Sequence, residues 1–213
     1  MLEKYFGFTK VQDEYSIIDS LLEHTRIDEE KIYLLEKMVI SLTALDFESI
    51  KIDFQKINKI TQDTKRIFEN IEEQIIQADF DHHRQLDLLR LFQRIDHIST
   101  ATLSAGKRIL VIKKIECEIP KTMIQPMKDM MTTIVDIHLE FKRALSCFKD
   151  NKKEIIKIVH KIIELEDEID SCRMACITTL YKLGNEKKIL IGNFRAIENI
   201  FEYLEGLSSS IEA

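Results

Sequence analysis

A chain of 213 residues, 45% of them hydrophobic, has ample apolar material for a buried core, and only 5 Gly and 2 Pro leave few places to turn. A formal charge of -6 and a sequence pI near 5.6 exclude a general nucleic-acid binder, because phosphate contacts need a clustered basic surface. No apolar run of roughly 18 residues is present and Met1 to Lys10 lacks the apolar centre and cleavage site of a signal peptide, so a cytoplasmic protein is expected.

The lead-in Met1 to Lys10 carries Tyr5, Phe6 and Phe8 between Lys4 and Lys10. Aromatic rings beside lysines suit either a foot on a membrane surface or packing on the first helix. That helix is predicted from Asp13, as N-cap, to about Leu45, with Ile17, Ile18, Leu21, Leu22, Ile32, Leu35 and Val39 at helical spacing. The charged stretch Arg26 to Lys31 interrupts the apolar run without a breaker, so the helix continues through it.

A second helix is predicted over about Phe47 to Gln77, with its seam at Ile57, Ile60, Thr64, Ile67, Ile71 and Ile75. The turn Ala78-Asp79-Phe80-Asp81 follows, and Asp81 is placed to cap a third helix over about His82 to Lys113. His82 and His83 point some 100° apart on a helix, which favours solvated first-turn residues over a shared metal. The third helix packs through Leu88, Leu91, Ile95 and Ile98, and the small residues Ser104, Ala105 and Gly106 permit close approach of a neighbour.

Pro120 and Pro126 set the start of a fourth helix near Thr122, as N-cap, running to about Asp150. Met123, Met127, Met130 and Met131 at its start suit core packing or an adaptable partner surface, and with the long amphipathic helices they make a symmetric homodimer an expectation. The fifth helix, Asn151 to Leu183 with Gly184 as its cap, has an a/d coiled-coil seam of Ile155, Ile158, Ile162, Leu165, Ile169, Cys172 and Cys176. Cys117, Cys147, Cys172 and Cys176 show no CxxC spacing and are expected as reduced thiols acting as small hydrophobes. The sixth helix, about Lys187 to Ser209, has its seam at Leu190, Phe194, Ile197, Phe201 and Leu204.

Carboxylates keep a common phase against these seams. Glu166 and Asp170 stand one residue past Leu165 and Ile169, and Glu198 and Glu202 one residue past Ile197 and Phe201. The same offset in helices two and three selects Thr61, Lys65, Phe92 and Asp96; the interval from Thr61 to Glu166 is 105 residues and that from Phe92 to Glu198 is 106. The expected fold is therefore all-α: six long helices in one domain spanning 1–213, as two pseudo-repeated three-helix halves, about 11–114 and 119–211, in an elongated bundle.

The ordered set Leu165-Glu166-x-x-x-Asp170, the acidic pair on the last helix, and the aromatic lead-in before a first helix containing Leu22-Glu23-His24 resembles the PhoU-like phosphate-transport regulators. It is similar above all to the shorter branch that accompanies Pit-type phosphate transporters, whose turn between helices two and three is matched by Asp79-Phe80-Asp81, with Asp79 standing where that branch usually has proline. The resemblance implies a duplicated three-helix fold and no catalytic residues. It further implies metal binding through E/D-x-x-x-D motifs, and a regulatory or accessory role toward a phosphate transporter or its signalling partner at the inner face of the membrane.

Glu166, Asp170, Glu198 and Glu202 are expected to converge where helices five and six pack. Carboxylates gathered on the flank of a seam need a cation, a proton or a basic side chain beside them, and a divalent metal or iron ion supplies the first. In the first half, Lys65 is expected to neutralise Asp96 instead. Two other readings stand beside this one. A di-iron carboxylate oxidase would place Glu three residues before a ligating His, and none of the 6 histidines has it. A purely structural helical module would use the same carboxylates in surface ion pairs.

Overall fold

The computed structural model describes residues 2–148 and 151–212, and the side chains from residue 14 onward other than that of residue 152. Six helices follow one another: α1 Leu2–Thr43, α2 Phe47–Gln77, α3 His82–Lys114, α4 Lys121–Ser146, α5 Lys152–Asn185 and α6 Ile191–Glu212, with no strand among the described residues. The charged stretch Arg26 to Lys31 is crossed by one continuous helix. That helix starts at Leu2 and runs through Asp13 without being capped there. The aromatic lead-in is thus backbone of α1, and the side chains of Tyr5, Phe6 and Phe8, on which membrane contact would rest, lie outside the described residues.

Caps explain most of the boundaries. Asp46 accepts from the Ser49 amide at 3.2 Å and its hydroxyl at 2.6 Å, Asp81 from the Arg84 amide at 3.1 Å, and Asn151 from the Glu154 amide at 3.2 Å. His82 and His83 are solvated in the first turn of α3. α4 departs from expectation: Pro120 precedes it with no side-chain cap, Thr122 lies inside it, and Pro126 sits in the second turn. The missing Pro126 amide frees the Thr122 carbonyl, tolerable because Thr122 is exposed at the helix end.

Three connections close with one device, and none uses glycine. Leu45, Glu116 and Lys187 take φ of 58°, 50° and 56°. The next residue in each case donates its amide back to the final turn: Asp46 to the Ser41 carbonyl at 2.9 Å, Cys117 to Ile112 at 3.0 Å, and Lys188 to Leu183 at 2.9 Å. A side chain in that left-handed conformation costs roughly 1 kcal/mol. Gly184, expected to end α5, instead lies within the helix, where a Cβ would stand 3.7 Å from Phe194 Cδ2. Gly106 does permit the expected close approach, since a Cβ there would be 3.1 Å from Phe54 Cδ2 of α2.

Within each half the three helices pack on one another, α1 with α2 and α3, and α4 with α5 and α6. The halves join through α1 on α4 and α3 on α6, so these four helices form the centre, while α2 and α5 pack only within their own halves. The helix whose acidic flank is most prominent in the sequence is therefore an outer one. Seam residues are largely as expected; the exceptions are Ile67, 41% exposed, and Leu190, which precedes α6 and is 74% exposed. Met123, Met127, Met130 and Met131 are all buried, so the methionine patch is core and offers no surface to a partner or a second copy.

The core is divided. A large apolar cluster runs from Ile32 and Met38 of α1 to Phe201 and Leu204 of α6, and a smaller one gathers Ile17, Ile18, Leu21, Ile71, Ile75 and Phe92. On α1 the buried residues between the two clusters are polar: His24, Thr25, Asp28 and Lys31, all at 0% exposure. Thr64 of α2, Ser99 and Thr102 of α3 and His138 of α4 are buried as well. A bundle held by apolar burial thus carries buried charge in its interior, which is tolerated only where the charges are paired.

Candidate functional site

The α5–α6 hairpin is antiparallel and its register can be read from three contacts. Ser209 meets Glu166, Arg173 meets Glu202, and the Tyr181 and Phe194 rings stand edge to face at 5.2 Å, stepping down both helices in opposite directions at one constant offset. That offset puts Asp170 opposite Glu205. Glu166 and Asp170 lie one turn apart on α5, held on the flank by the buried seam residues Leu165 and Ile169.

Glu166, Asp170 and Glu205 each offer an oxygen within 4.8 Å of the other two. Glu166 and Glu205 are half-buried and Asp170 is exposed. The Ser209 hydroxyl stands 2.8 Å from Glu166 Oε1 and 3.1 Å from Glu205 Oε1, and donates to them. None of the three carboxylates has an ion-pair partner among the described residues, so a bound cation there would meet three uncompensated oxygens. Three converging carboxylate oxygens suit a hard cation, and no thiol or imidazole enters the set.

Of the four carboxylates that the sequence singles out, the structure brings Glu166 and Asp170 together and sends the other two elsewhere. Glu198 is buried and receives Arg195 Nη1 at 2.7 Å, a pairing that raises the Arg195 pKa. Glu202 is exposed and faces Arg173 Nη2 at 3.9 Å. Glu205, which joins Glu166 and Asp170, stands one turn further along α6, and only the register reveals it. In the first half, Lys65 and Asp96 are both exposed and form no ion pair with one another. The Thr61 hydroxyl bonds its own helix at the Ile57 carbonyl, 2.8 Å away.

The second charged constellation was not singled out from the sequence at all. Asp28 Oδ1 lies 2.5 Å from Lys31 Nζ and Asp28 Oδ2 lies 3.1 Å from His24 Nδ1, all three side chains being within 1% of full burial. The angles make these charge contacts and not directed hydrogen bonds, leaving both Asp28 oxygens and both His24 nitrogens without a geometric hydrogen-bond partner. Lys31 also donates to Ser99 Oγ across the α1–α3 contact, and the His24 ring stands edge-on to Phe68 at 3.6 Å. From α4, His138 enters with both nitrogens unpartnered. Burial drives its pKa down to about 4, against the pull of Asp28 and Glu29 and with the push of Lys142 and Lys31. An aspartate and an ammonium three residues apart, with the neutral imidazole of His138 beside them, form an internal ion pair.

The thiols take no part. All four are free, and burial pushes the Cys176 and Cys117 groups up to about 12 and about 11, which keeps them protonated. No helix of the described residues is long and apolar enough to cross a membrane.

No protein-family model matches the sequence, and no curated relative does. Solved structures match it over nearly its whole length. A PhoU-like phosphate regulatory protein from Shewanella oneidensis MR-1 superposes with a TM-score of 0.76 at 15% identity, covering 92% of this chain and 93% of its own. A PhoU-like protein from the same organism superposes with a TM-score of 0.77 at 16% identity, covering 92% and 94%. The chain has the PhoU-like fold, an all-α bundle.

Proposed function

We propose that this protein is a non-enzymatic regulator or accessory factor of phosphate uptake, acting by protein–protein contact with a Pit-type phosphate transporter or its signalling partner at the inner face of the membrane. The observation that carries this reading is the six-helix architecture shared over 92% of the chain with two PhoU-like proteins, one of which bears the description phosphate regulatory. The ordered acidic motifs on α5 and α6 agree with it, and Tyr5, Phe6 and Phe8 supply aromatic side chains for peripheral contact with the membrane.

Glu166, Asp170 and Glu205 would hold a divalent metal or iron ion on the α5–α6 hairpin, where bound positive charge would bind the two helices together and give an outer surface a fixed local field. Glu198 and Glu202 are each matched with arginine and contribute to the hairpin through those pairs. The reading is tested by deleting the gene in its host and following phosphate uptake together with phosphate-dependent expression. Altered uptake, or expression that no longer tracks external phosphate, is expected; a deletion strain identical to its parent in both would overturn the proposal.

A further inference from the structure

A groove of about 760 Å³ is lined by residues of α3, α4 and α5 and by Ile211 and Glu212 at the tail of α6. Its two walls differ in chemistry. Phe141 and Leu145 lie one turn apart on α4 with Phe148 just past its end, and on α5 Ile155, Val159 and Ile162 recur at steps of four and three, so both sides present apolar residues to the groove. Val159 is 42% exposed, and its neighbours Ile156 and Ile163 are 60% and 38% exposed, which extends the apolar wall onto the surface of α5.

The α3 lip carries Arg90, Arg94 and His97, again at steps of four and three. Arg90 faces Asp87 at 3.5 Å with both side chains 74% exposed, a pairing that leaves its charge largely to solvent. Arg94 has no ion-pair partner among the described residues. The lining's single carboxylate is Glu212 at the α6 end. A chain of net charge -6 therefore presents here a locally basic edge beside an apolar floor.

We propose that this groove docks an amphipathic helix of a protein partner, its apolar face on α4 and α5 and its acidic flank along α3. The periodicity sets the length: three anchors at i, i+4 and i+7 span about two turns, or roughly 11 Å, of partner helix. The arginine edge sets orientation and selects against basic helices, because like charges there would be pressed together as the floor loses water. The inference concerns a protein-binding surface and stands apart from the phosphate reading, since a partner of any pathway would satisfy it.

The test uses the full chain and two fluorescein-labelled helical peptides of about 15 residues that share leucines at i, i+4 and i+7, one with glutamates along one flank and one with lysines there. By fluorescence anisotropy the glutamate peptide is expected to bind at least tenfold tighter than its lysine twin. Arg94→Glu is expected to reverse that preference, and Val159→Asp to remove binding of both. Both positions are exposed, so circular dichroism should show the variants folded. Failure of the glutamate peptide to bind, equal binding of the twins, or binding indifferent to Arg94→Glu would overturn the proposal. So would light scattering in which Val159→Asp converts a dimer to a monomer, because the occupant would then be a second copy of this chain.

Discussion

Replacing Asp28 by alanine is expected to cost about 3–5 kcal/mol of folding free energy, far more than an ordinary surface change. Asp28 is the carboxylate beside Lys31, and both are within 1% of full burial. Without it the ammonium keeps the Ser99 hydroxyl as its hydrogen-bond partner at a position shielded from bulk solvent. The ion pair itself is a different matter: desolvating both charges cancels much of their attraction, so the paired replacement Asp28→Leu with Lys31→Met should lie within a few kcal/mol of the parent. Urea denaturation of the single and double variants reads both statements as one cycle. Additive losses in the double variant would show that the two groups act independently.

Acidification is expected to remove on the order of 3 kcal/mol through His138 alone. The folded pKa of about 4 lies below the ordinary 6.5, so the unfolded chain binds the proton more readily. The contribution is complete above pH 6.5 and is lost as pH falls toward 4. Asp28 and Glu29 draw His138 toward the charged form while Lys31 and Lys142 repel it, and desolvation exceeds both. Carboxylates titrate over part of the same range, so the readout is the difference between parent and His138→Leu. The variant should lose the excess slope of stability between pH 6.5 and 4. Parallel curves would mean that His138 binds its proton equally in the folded and unfolded chain, and would contradict a pKa lowered by burial.

Helix number and type were legible because the evidence for them is local. Few glycines and prolines, apolar steps of three and four, and Asp81 at the start of α3 all act within a turn or two of where they stand. The ends were less legible. Lys187 and Glu116 take the left-handed position usually given to glycine, so the nearest glycine, Gly184, pointed to the wrong residue. The charged run Arg26 to Lys31 read only as an interruption of the apolar pattern, yet Asp28 and Lys31 turn inward while Arg26 stays outside, a choice made by the neighbours α3 and α4 and not by the stretch itself.

The carboxylate site shows the same division. Glu166 and Asp170 are neighbours on one helix, and their spacing alone brings them together. Their partner on α6 depends on how far the two helices slide past one another, and a slide of one turn separates Glu202 from Glu205. The connection from Asn185 to Ile191 sets that slide through the left-handed Lys187 and the contact of Phe194 with Tyr181, neither of which the carboxylate pattern encodes. The expected exchange of Lys65 for an ion in the first half fails likewise, since Lys65 and Asp96 both face solvent.

The carboxylate cluster on the α5–α6 hairpin is tested most directly by the metal content of the purified protein, measured by elemental analysis after dialysis against a divalent metal or ferrous iron and compared across three single variants. Glu166→Ala and Glu205→Ala are expected to lose bound metal, and Glu198→Ala, which breaks only the Arg195 pair, is expected to keep it. Metal retained in Glu205→Ala, or lost only in Glu198→Ala, would contradict the placement of the site.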